Sequence, residues 1–522
     1  MDDKTLIDML ERASAAHGPA IALRTPQRGW TFGEVRADAL RVASGLRAAG
    51  VGPGDRVACL TKHGAPCTLL ALGSALIGAV CTPVNWRLAA PEIEYIVDHA
   101  GAKFMMVDGT FAPMVRAAKL PSVSTTIATD AAEGLVEFER WVARFEPAQT
   151  VHAARPADTA LQLYSSGTTG LPKGVEISHA NLIAAFDGLE PGIAFHAGAV
   201  MFNALPMFHI SGIGVSLFSI SRGGTVVFQP EFLPERVLHA FEHDRVTHTF
   251  LVPAMILALL NSPSVRATDF RSLEVISYGA SPISERVLVD ALATFGCRFV
   301  QVYGLTETSG AVVWLPPEDH DPGGPKAHLL RAAGRAGEGV GLRIVDAASG
   351  RDLPDGEVGE VWIRSPQNMI GYWANPKATA AAYPEGRPGG VGWFRSGDAG
   401  YLRDGYLYIH DRIKDMVISG GENIYPAEVE NALMRHPAIA DCAVIGVPDP
   451  KWGEAVKAIA VLRDGMRADE AGVIAWMRER LAHYKCPKSV DFVDALPRNP
   501  SGKLLKFVLR KPYWEGRERQ VN

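Results

Sequence analysis

The chain has 522 residues, with 52 Lys and Arg against 57 Asp and Glu, so its formal net charge at pH 7 is −5. This balance excludes a protein that binds nucleic acid through bulk positive charge. The hydrophobic fraction of 47% and the charged fraction of 21% are typical of a globular protein, and the length predicts about three folding units.

The N-terminus and the cysteines predict the setting in which the chain works. The first residues are acidic, and Leu6, Ile7 and Leu10 share one face of a predicted helix, unlike the basic start and apolar run of a signal peptide. No charge-free apolar stretch reaches the roughly 18 residues of a membrane-spanning helix. The cysteines lack any metal-ligand spacing, which predicts a reduced, cytosolic protein without a zinc site or disulfides. They are Cys59, Cys67, Cys81, Cys297, Cys442 and Cys486.

Short β-branched runs alternate with apolar helical stretches along the chain, which predicts an α/β fold with largely parallel sheets. Thr31 and Glu34 have the spacing of a capping box at the start of a helix, and a second apolar helix is predicted near residues 69–77. Residues 109–155 are predicted to be irregular and residues 384–390 to form a surface loop. The predicted strands are 57–60, 79–83, 161–164, 225–228, 249–252, 275–277 and 299–303.

A domain boundary is predicted at the charged run of residues 411–414. The sequence after this run has a short, self-contained βα pattern. Residues 412–522 carry 18 basic and 15 acidic side chains, a net charge of +3, which leaves −8 for residues 1–411. We therefore expect a large acidic domain, residues 1–411, followed by a small positive domain, residues 412–522.

The most informative segment follows the strand predicted at 161–164. It reads YSSGTTGLPKG over residues 164–174, with three glycines, four Ser or Thr hydroxyls and one lysine, Lys173. Glycines let backbone N–H groups turn toward an anion, hydroxyls donate to phosphate oxygens, and lysine neutralises charge. The spacing differs from G-x-x-x-x-G-K-[ST], which excludes the ordinary NTPase phosphate loop. A phosphate-binding turn is predicted, with an ordinary Ser/Thr/Gly loop as the alternative.

Other catalytic patterns are absent from the sequence. It contains no G-x-S-x-G nucleophile elbow, no G-x-G-x-x-G dinucleotide turn and no H-E-x-x-H zinc helix. Hydrolase, dehydrogenase and metalloprotease functions therefore have no support.

Further segments follow the phosphate-binding turn in a fixed order. They read QVYGLTET at 301–308, WFRSGD at 393–398, DRIKD at 411–415, SGGEN at 419–423 and PRNPSGK at 497–503. Together these motifs resemble those of the adenylate-forming superfamily, which contains acyl-CoA synthetases, aryl-CoA ligases, luciferases and peptide-synthetase adenylation domains. The resemblance extends from about residue 20 to 510. It implies an α/β fold, with a large multi-subdomain adenylation domain of mostly parallel sheets and a small α+β C-terminal domain on a hinge.

The resemblance implies a nucleotide site. Tyr303, next to Gly304, would stack on adenine, Asp398 would accept both ribose hydroxyls, and Arg412 would also reach the nucleotide. From the residues alone, a core tyrosine and a turn aspartate stay open as alternatives. The residues implied to contact phosphate are Ser165, Ser166, Gly167, Thr168, Thr169, Gly170 and Lys173.

Catalytic side chains are implied next to this nucleotide. Glu307, with Thr168, would hold the Mg²⁺ that accompanies ATP, since Mg²⁺ takes one or two carboxylates together with substrate phosphates. Thr306 and His209 are also implied in catalysis, with His209 at the mouth of the acyl pocket. A surface glutamate and a core histidine are the ordinary alternatives.

The small domain is implied to supply a mobile lysine. Lys503 would neutralise the substrate carboxylate and the α-phosphate during adenylation. One such charge at about 4 Å is worth roughly 4 kcal/mol at an effective dielectric of about 20, or about 10³-fold in rate. The domain would then turn about Lys414 and bring Gly420, Gly421 and Asn423 to CoA. Acetylation of Lys503 would remove its charge and stop adenylation.

The acyl pocket is implied to be lined by Ile210, Ser211, Ile213, Gly279, Ala280, Ser281, Val302 and Val312. Many aryl-CoA ligases carry glycine at the position of Val302. The added side chain favours a slim aliphatic acid over a broad ring, although a change of this size discriminates by only about 1–3 kcal/mol.

The expected activity is that of an ATP-dependent carboxylic acid–CoA ligase, which forms an acyl-adenylate and pyrophosphate and then acyl-CoA and AMP. Its expected partners are an aliphatic acid, ATP, Mg²⁺ and CoA. An aryl or steroid side-chain acid is one alternative substrate. A carrier protein or, in a luciferase, oxygen is an alternative acceptor, and a non-catalytic nucleotide-binding regulator is an alternative of another class. The sequence leaves open whether the chain forms a homo-oligomer.

Overall fold

A computed structural model describes residues 3–165, 171–346, 349–412, 415–419, 422–498 and 504–515, and for residues 190, 191, 411, 412 and 423 it describes the backbone alone. The helices are α1 Leu6–His17, α2 Phe32–Ala48, α3 Gly64–Leu76, α4 Ala90–Ala100, α5 Ala112–Ala117, α6 Phe138–Val142, α7 His179–Ile193, α8 Ile210–Ser221, α9 Pro234–His243, α10 Pro253–Leu260, α11 Glu285–Phe295, α12 Pro376–Ala382, α13 Pro426–Leu433, α14 Glu470–Arg478 and α15 Lys506–Trp514.

The strands in the first half of the chain are β1 Ile21–Arg24, β2 Gly29–Thr31, β3 Arg56–Leu60, β4 Val80–Pro83, β5 Ala102–Val107, β6 Thr125–Ala128, β7 Thr159–Ser165, β8 Lys173–Ser178, β9 Val200–Asn203, β10 Thr225–Phe228 and β11 His248–Leu251. Those in the second half are β12 Val275–Gly279, β13 Arg298–Leu305, β14 Gly310–Leu315, β15 Arg335–Ala336, β16 Gly341–Val345, β17 Gly359–Arg364, β18 Gly371–Tyr372, β19 Trp393–Arg403, β20 Tyr406–Arg412, β21 Val417–Ser419, β22 Glu422–Ile424, β23 Ile439–Asp449, β24 Gly453–Leu462 and β25 Ser489–Phe492.

Two large, mainly parallel sheets form the first part of the molecule. One has the order β15-β14-β13-β12-β11-β9-β10-β1-β2, and its strands from β13 to β1 are parallel. The other has the order β18-β8-β7-β4-β3-β5-β6 and is parallel from β7 to β6. A single apolar core includes fully buried residues from both sheets, among them Leu23, Val57, Leu161 and Val226. The predicted parallel α/β architecture is confirmed.

Two smaller sheets follow along the chain. An antiparallel sheet has the order β16-β17-β19-β20. A last sheet contains β22-β21-β24-β23 with β25 paired to β24, and it has its own apolar core, in which Val444, Val456 and Met477 are fully buried. The smaller C-terminal unit is therefore organised around an independent core.

Local sequence signals succeed and fail for identifiable reasons. The capping box at the start of α2 is confirmed, because Glu34 N donates to Thr31 Oγ1 at 3.1 Å and Thr31 N donates to Glu34 Oε2 at 2.7 Å. The prediction that residues 109–155 are irregular is wrong in part, since α5, β6 and α6 lie there. These elements are too short to show periodicity and are held by tertiary packing, as where Trp141 of α6 packs on Phe104 with ring centroids 5.3 Å apart.

In the part of the chain that the structure describes, no helix is long and apolar enough to cross a membrane.

Candidate active site

The two large sheets meet at a carboxylate. Ser165 ends β7, and Glu307 lies in the one-turn helix Thr306–Thr308 that follows β13. Ser165 Oγ donates to Glu307 Oε1 at 3.0 Å, and the Tyr372 hydroxyl donates to the same oxygen at 3.1 Å. Lys173 Nζ lies 5.0 Å from the centroid of the Tyr372 ring. Residues remote in sequence thus place a carboxylate, two hydroxyls and an ammonium group together, beside the turn predicted to bind phosphate.

A close backbone approach sets the position of this carboxylate. The β13–β14 pairing shifts register between Tyr303 and Gly304, and a Cβ at Gly304 would collide with the carbonyl oxygen of Gly310. Only glycine fits at position 304, and this steric limit explains why a glycine follows Tyr303 in the motif that leads to Thr306 and Glu307. Carboxylate and hydroxyl oxygens are ligands that Mg²⁺ prefers, so the oxygens around Glu307 fit such an ion.

A second carboxylate is held on the neighbouring antiparallel sheet. Asp398 of β19 is 5% exposed; its Oδ2 accepts a 2.7 Å hydrogen bond from the Tyr303 hydroxyl. Its backbone N–H donates to Ser396 Oγ at 3.0 Å, and Gly397 between them has a φ of 70°. The Tyr303 phenol and the Asp398 carboxylate therefore share one site.

A cleft of about 290 Å³ contains this pair and also reaches the small C-terminal unit. Tyr303, Gly304 and Asp398 line it from the large part of the chain, and Leu504 and Arg498 line it from the small one. Leu504 is the residue that follows the predicted catalytic lysine. The small unit therefore contributes Leu504 and Arg498 to the same cleft as the Tyr303–Asp398 pair.

Ion pairs fix the chain on either side of the segment that contains Lys503. Arg498 NH2 donates to both carboxylate oxygens of Asp441 at 2.9 and 2.7 Å. Lys506 Nζ lies 3.0 Å from Glu430 Oε1, and both side chains are largely buried. Both anchors belong to the small unit.

A larger cavity of about 640 Å³ extends from Glu307 between α7, α8 and the nine-stranded sheet. Near Glu307 it is polar, with Thr306, Lys173 and Tyr372 in its wall. Farther in, its wall is apolar or aromatic. The residues of this inner part include Phe186, Leu189 and Ile193 of α7, Val215 and Phe218 of α8, and Met201 and Phe250 of the sheet.

The structure brings together only some of the residues expected to form the acyl pocket. His209, Ile210, Ser211, Ala280 and Val302 line this larger cavity. The placement of four others requires correction. Ile213 and Val312 are fully buried and pack in the core, Gly279 is covered by the backbone of Val302, and Ser281 lines the cleft beside Tyr303 instead.

His209 immediately precedes α8, and its environment is unusual. Its Nε2 is buried and has no hydrogen-bond partner among the described residues. Burial, followed by the positive charge of Arg87, lowers the pKa of His209 to about 4. The imidazole at the cavity wall is therefore neutral near pH 7, with a nitrogen available to a ligand.

Several predicted residues lie outside the described part of the chain. These are Ser166, Gly167, Thr168, Thr169, Gly170, Lys414, Gly420, Gly421 and Lys503. The backbone of Arg412 ends β20, where it pairs with Asp398, and that of Asn423 lies in β22, but their side chains are outside the description.

Sequence reasoning missed the inner wall of the cavity. Phe186, Leu189 and Ile193 follow the i, i+3, i+7 spacing of one helix face. That spacing is the ordinary signature of a helix packed on a core, so no local signal separates a cavity wall from packing. Tyr372 was missed as well, because it lies 65 residues from Glu307 and outside every motif.

Known proteins are similar to this chain over nearly its whole length. The family described as AMP-binding enzyme matches residues 10–373, and the AMP-binding enzyme C-terminal domain matches residues 428–503. The chain is 38% identical to the fatty acid–[acyl-carrier-protein] ligase ScoC of Streptomyces coeruleorubidus, over 97% of this chain and 96% of the relative. It is 40% identical to a feruloyl-CoA synthase of an Amycolatopsis species, over 95% of this chain and 96% of the relative.

Among solved structures, ATP-bound MatB of Rhodopseudomonas palustris is similar with a TM-score of 0.88 and 31% identity, over 98% of this chain and 99% of that one. Apo MatB, at the same identity and coverage, gives a TM-score of 0.78.

Proposed function

The chain belongs to the AMP-binding enzyme family and is an AMP-forming acyl-CoA ligase, and from this premise we propose that its substrate is a monocarboxylic acid with an apolar, aliphatic tail. The observation that carries the proposal is the inner part of the 640 Å³ cavity, whose described wall is apolar and aromatic. Burying an alkyl tail there is favourable by about 0.8 kcal/mol per CH₂.

The charges in the cavity wall argue against a second carboxylate on the substrate. Lys173 and Arg395 are the cations among the described wall residues. Lys173 lies against Tyr372 near Glu307, and Arg395 is paired with Glu360 at 2.9 Å. A dicarboxylate would therefore bury its second charge among apolar side chains without a partner, at considerable cost.

The reaction begins with attack of the substrate carboxylate on the α-phosphorus of ATP. The new P–O bond forms as the bond to pyrophosphate breaks, and the product is an acyl-adenylate. We assign Tyr303 to the adenine and Asp398 to the ribose hydroxyls, and the turn that includes Lys173 to the phosphates. Lys503 neutralises charge on the carboxylate and α-phosphate, and Thr306 and His209 border the acyl group.

Mg²⁺ would be held by Glu307, with Thr168 as an expected second contact. When bound, such an ion neutralises phosphate charge and helps pyrophosphate leave. The protein's own part is to hold the Glu307 carboxylate in place through Ser165 and Tyr372, so that little reorganisation is needed when ATP binds.

The second step needs a different arrangement of the small domain, residues 412–522. Rotation about Lys414 would withdraw Lys503 and present Gly420, Gly421 and Asn423 to CoA. The CoA thiol then attacks the acyl carbon, the new C–S bond replaces the bond to AMP, and the thiol proton is released. Leu504 and Tyr303 line the same cleft, and the TM-score is higher with ATP-bound than with apo MatB. Both observations support the adenylate-forming arrangement for this structure.

The test is a panel of acids assayed for CoA-dependent AMP formation with ATP and Mg²⁺. Saturated monocarboxylates of increasing chain length should give the highest kcat/KM, ahead of aryl acids such as ferulate, and dicarboxylates such as malonate should be poor substrates. Preference for an aryl acid or a dicarboxylate would overturn the proposal. Replacing CoA by a phosphopantetheinylated carrier protein tests the alternative acceptor, and faster transfer to the carrier would reassign the second step.

A further inference from the structure

β19 carries a bulge next to the nucleotide site. In its pairing with β17, Glu360 lies opposite Ala399 and Trp362 lies opposite Arg395. Two steps along β17 therefore match four along β19, so Ser396, Gly397 and Asp398 lie opposite the single residue Val361, an excess of two residues. Bulges of this kind leave backbone groups without ladder partners and redirect side chains.

Glu360 fills this bulge. The residue is 3% exposed, and Oε1 accepts a 3.2 Å hydrogen bond from the backbone N–H of Gly397. Its other oxygen accepts from Arg395 Nε at 2.9 Å and from Trp362 Nε1 at 3.0 Å. The carboxylate thus accepts a hydrogen bond from an amide of the bulge that lies outside the ladder between the strands. Two further donors orient the carboxylate itself.

The conformation of the bulge decides where Asp398 points. Gly397 has a φ of 70°, a region that favours glycine. Glu360 holds its amide, while Ser396 Oγ donates to the Val361 carbonyl at 2.7 Å and accepts from the Asp398 N–H at 3.0 Å. The Asp398 side chain, directed at Tyr303, therefore depends on a bulge that Glu360 closes from the neighbouring strand.

We propose that Glu360 is a positioning residue for the ribose of ATP, acting through the Gly397 amide on the direction of Asp398. The inference rests on the proposed assignment of Asp398 to the ribose hydroxyls. Glu360 acts here through Asp398 and is not proposed to contact the nucleotide or the reacting atoms itself.

The contacts require a carboxylate at position 360. Its three hydrogen-bond partners among the described residues are N–H donors, and a carboxylate offers only acceptors. In Glu360→Gln one of the two oxygens becomes an NH₂ group that faces a donor. The side chain keeps its shape, so the substitution perturbs the hydrogen bonds of the bulge with little change in packing.

The experiment compares ATP with 2′,3′-dideoxy-ATP, which lacks both ribose hydroxyls, in the adenylation half-reaction. If Asp398 binds the hydroxyls, Asp398→Asn should lose most of the wild-type preference for ATP. Glu360→Gln should lower kcat/KM for ATP by about 10-fold, the scale of one hydrogen bond to a charged group. Glu360→Gln should change kcat/KM for the dideoxy nucleotide by less than about 2-fold, because that nucleotide has no ribose hydroxyl for Asp398 to bind.

The outcomes separate this inference from the function on which it rests. An equal loss with both nucleotides in Glu360→Gln would mean that Glu360 is merely structural, and an unchanged preference would mean that it is not needed; either result overturns the proposal. If Asp398→Asn keeps the wild-type preference, the ribose assignment fails and the proposal falls with it.

Two further variants complete the test. Glu385→Gln is the matched control, because Glu385 is an exposed carboxylate paired with Arg343 at 2.7 Å and lines neither cavity. It should leave the nucleotide preference unchanged.

If Glu360→Gln does not fold, Ser396→Ala serves in its place, because it removes the other side-chain contacts of the bulge. It should reduce the preference for ATP by a similar factor, and an unchanged preference in that variant would overturn the proposal.

Discussion

Tyr303 and Asp398, 95 positions apart, are joined by a hydrogen bond of 2.7 Å between the phenol and the carboxylate. The bond connects β13 of the nine-stranded sheet to β19 of the antiparallel sheet, and both residues line the cleft that Leu504 enters from the small domain. The bond holds one carboxylate oxygen of Asp398 in the wall of this cleft, at the group proposed to accept the ribose hydroxyls.

Removing the phenol oxygen should therefore weaken nucleotide binding while the ring remains. In Tyr303→Phe we expect KM for ATP to rise about 3- to 10-fold, the range of one hydrogen bond, with kcat changed less than about 2-fold. Steady-state kinetics with varied ATP measure this. Tyr401→Phe is the control, since Tyr401 stacks on Tyr408 away from the cleft and should show wild-type values. A fall in kcat without a change in KM would contradict the assignment.

The wall at Val302 should discriminate between slim and broad acids. Val302 lines both cavities, and Val302→Gly removes a branched side chain from the wall that they share. We expect the ratio of kcat/KM for an aryl acid to that for an aliphatic acid to rise about 5- to 50-fold, as a change of 1–2 kcal/mol would give.

Ile213→Val provides the control for this change. Ile213 is fully buried next to the pocket but does not line it. It should lower stability by about 0.5–1.5 kcal/mol and leave the substrate preference as it is. If Val302→Gly shifts the preference no more than Ile213→Val, Val302 does not set specificity.

An ion pair between the two domains should favour the adenylate-forming arrangement. Glu285 of α11 accepts from Arg435 of the small domain at 2.8 Å, and Arg331 lies 3.1 Å from the same oxygen. Because these side chains are partly exposed, the pair is worth only about 0.2–1 kcal/mol, yet such an energy shifts a nearly balanced equilibrium several-fold.

In Glu285→Arg we expect adenylation to slow about 3- to 5-fold at low salt and less at high salt, because ions screen exposed charges. Conversion of a supplied acyl-adenylate and CoA to thioester should not slow. The double variant Glu285→Arg with Arg435→Glu should recover part of the loss. Arg480→Glu, which breaks a pair within the small domain, should affect neither step; equal slowing of both steps by Glu285→Arg would mean general damage.

Stability should decrease as the solution is acidified. Burial lowers the pKa of His320 to about 4, outweighing the opposing effects of the Pro316 carbonyl and the Asp319 charge. The unfolded chain binds a proton at this position near pH 6.5, whereas the folded chain does so only near pH 4. Protonation therefore favours unfolding, and stability is lost as pH falls from about 6.5 toward 4.

The variant His320→Gln should remove part of this dependence. We expect the urea midpoint of the wild type to fall between pH 7 and pH 5 and to fall less in the variant. His196→Gln should steepen the fall of the midpoint with acidification, because hydrogen bonds that His196 donates to the Ala197 carbonyl and to Glu274 raise the pKa of His196. A steeper pH dependence in His320→Gln would show that the sign is wrong.

The sequence predicts the fold class and the polar residues at strand ends better than it predicts the residues that line the cavity or support the site. The parallel strands and the Thr31 capping box depend on local pattern, and the structure agrees with both. Ser165 and Glu307 could be expected at one site because each follows a strand. Phe186 and Glu360 could not, since a cavity wall and a bulge partner become visible only when distant segments pack together. The same reason explains why Ile213 and Val312, which the family resemblance placed in the acyl pocket, lie in the core.

The most direct test of the account separates the two half-reactions in Lys503→Ala. Pyrophosphate exchange measures adenylation, and thioester formation from a supplied acyl-adenylate and CoA measures the second step. We predict that adenylation falls by about 10²- to 10⁴-fold, because a charge next to the reacting phosphate is lost, while thioester formation keeps its wild-type rate. Equal loss in both half-reactions, or an unchanged rate of adenylation, would contradict the account.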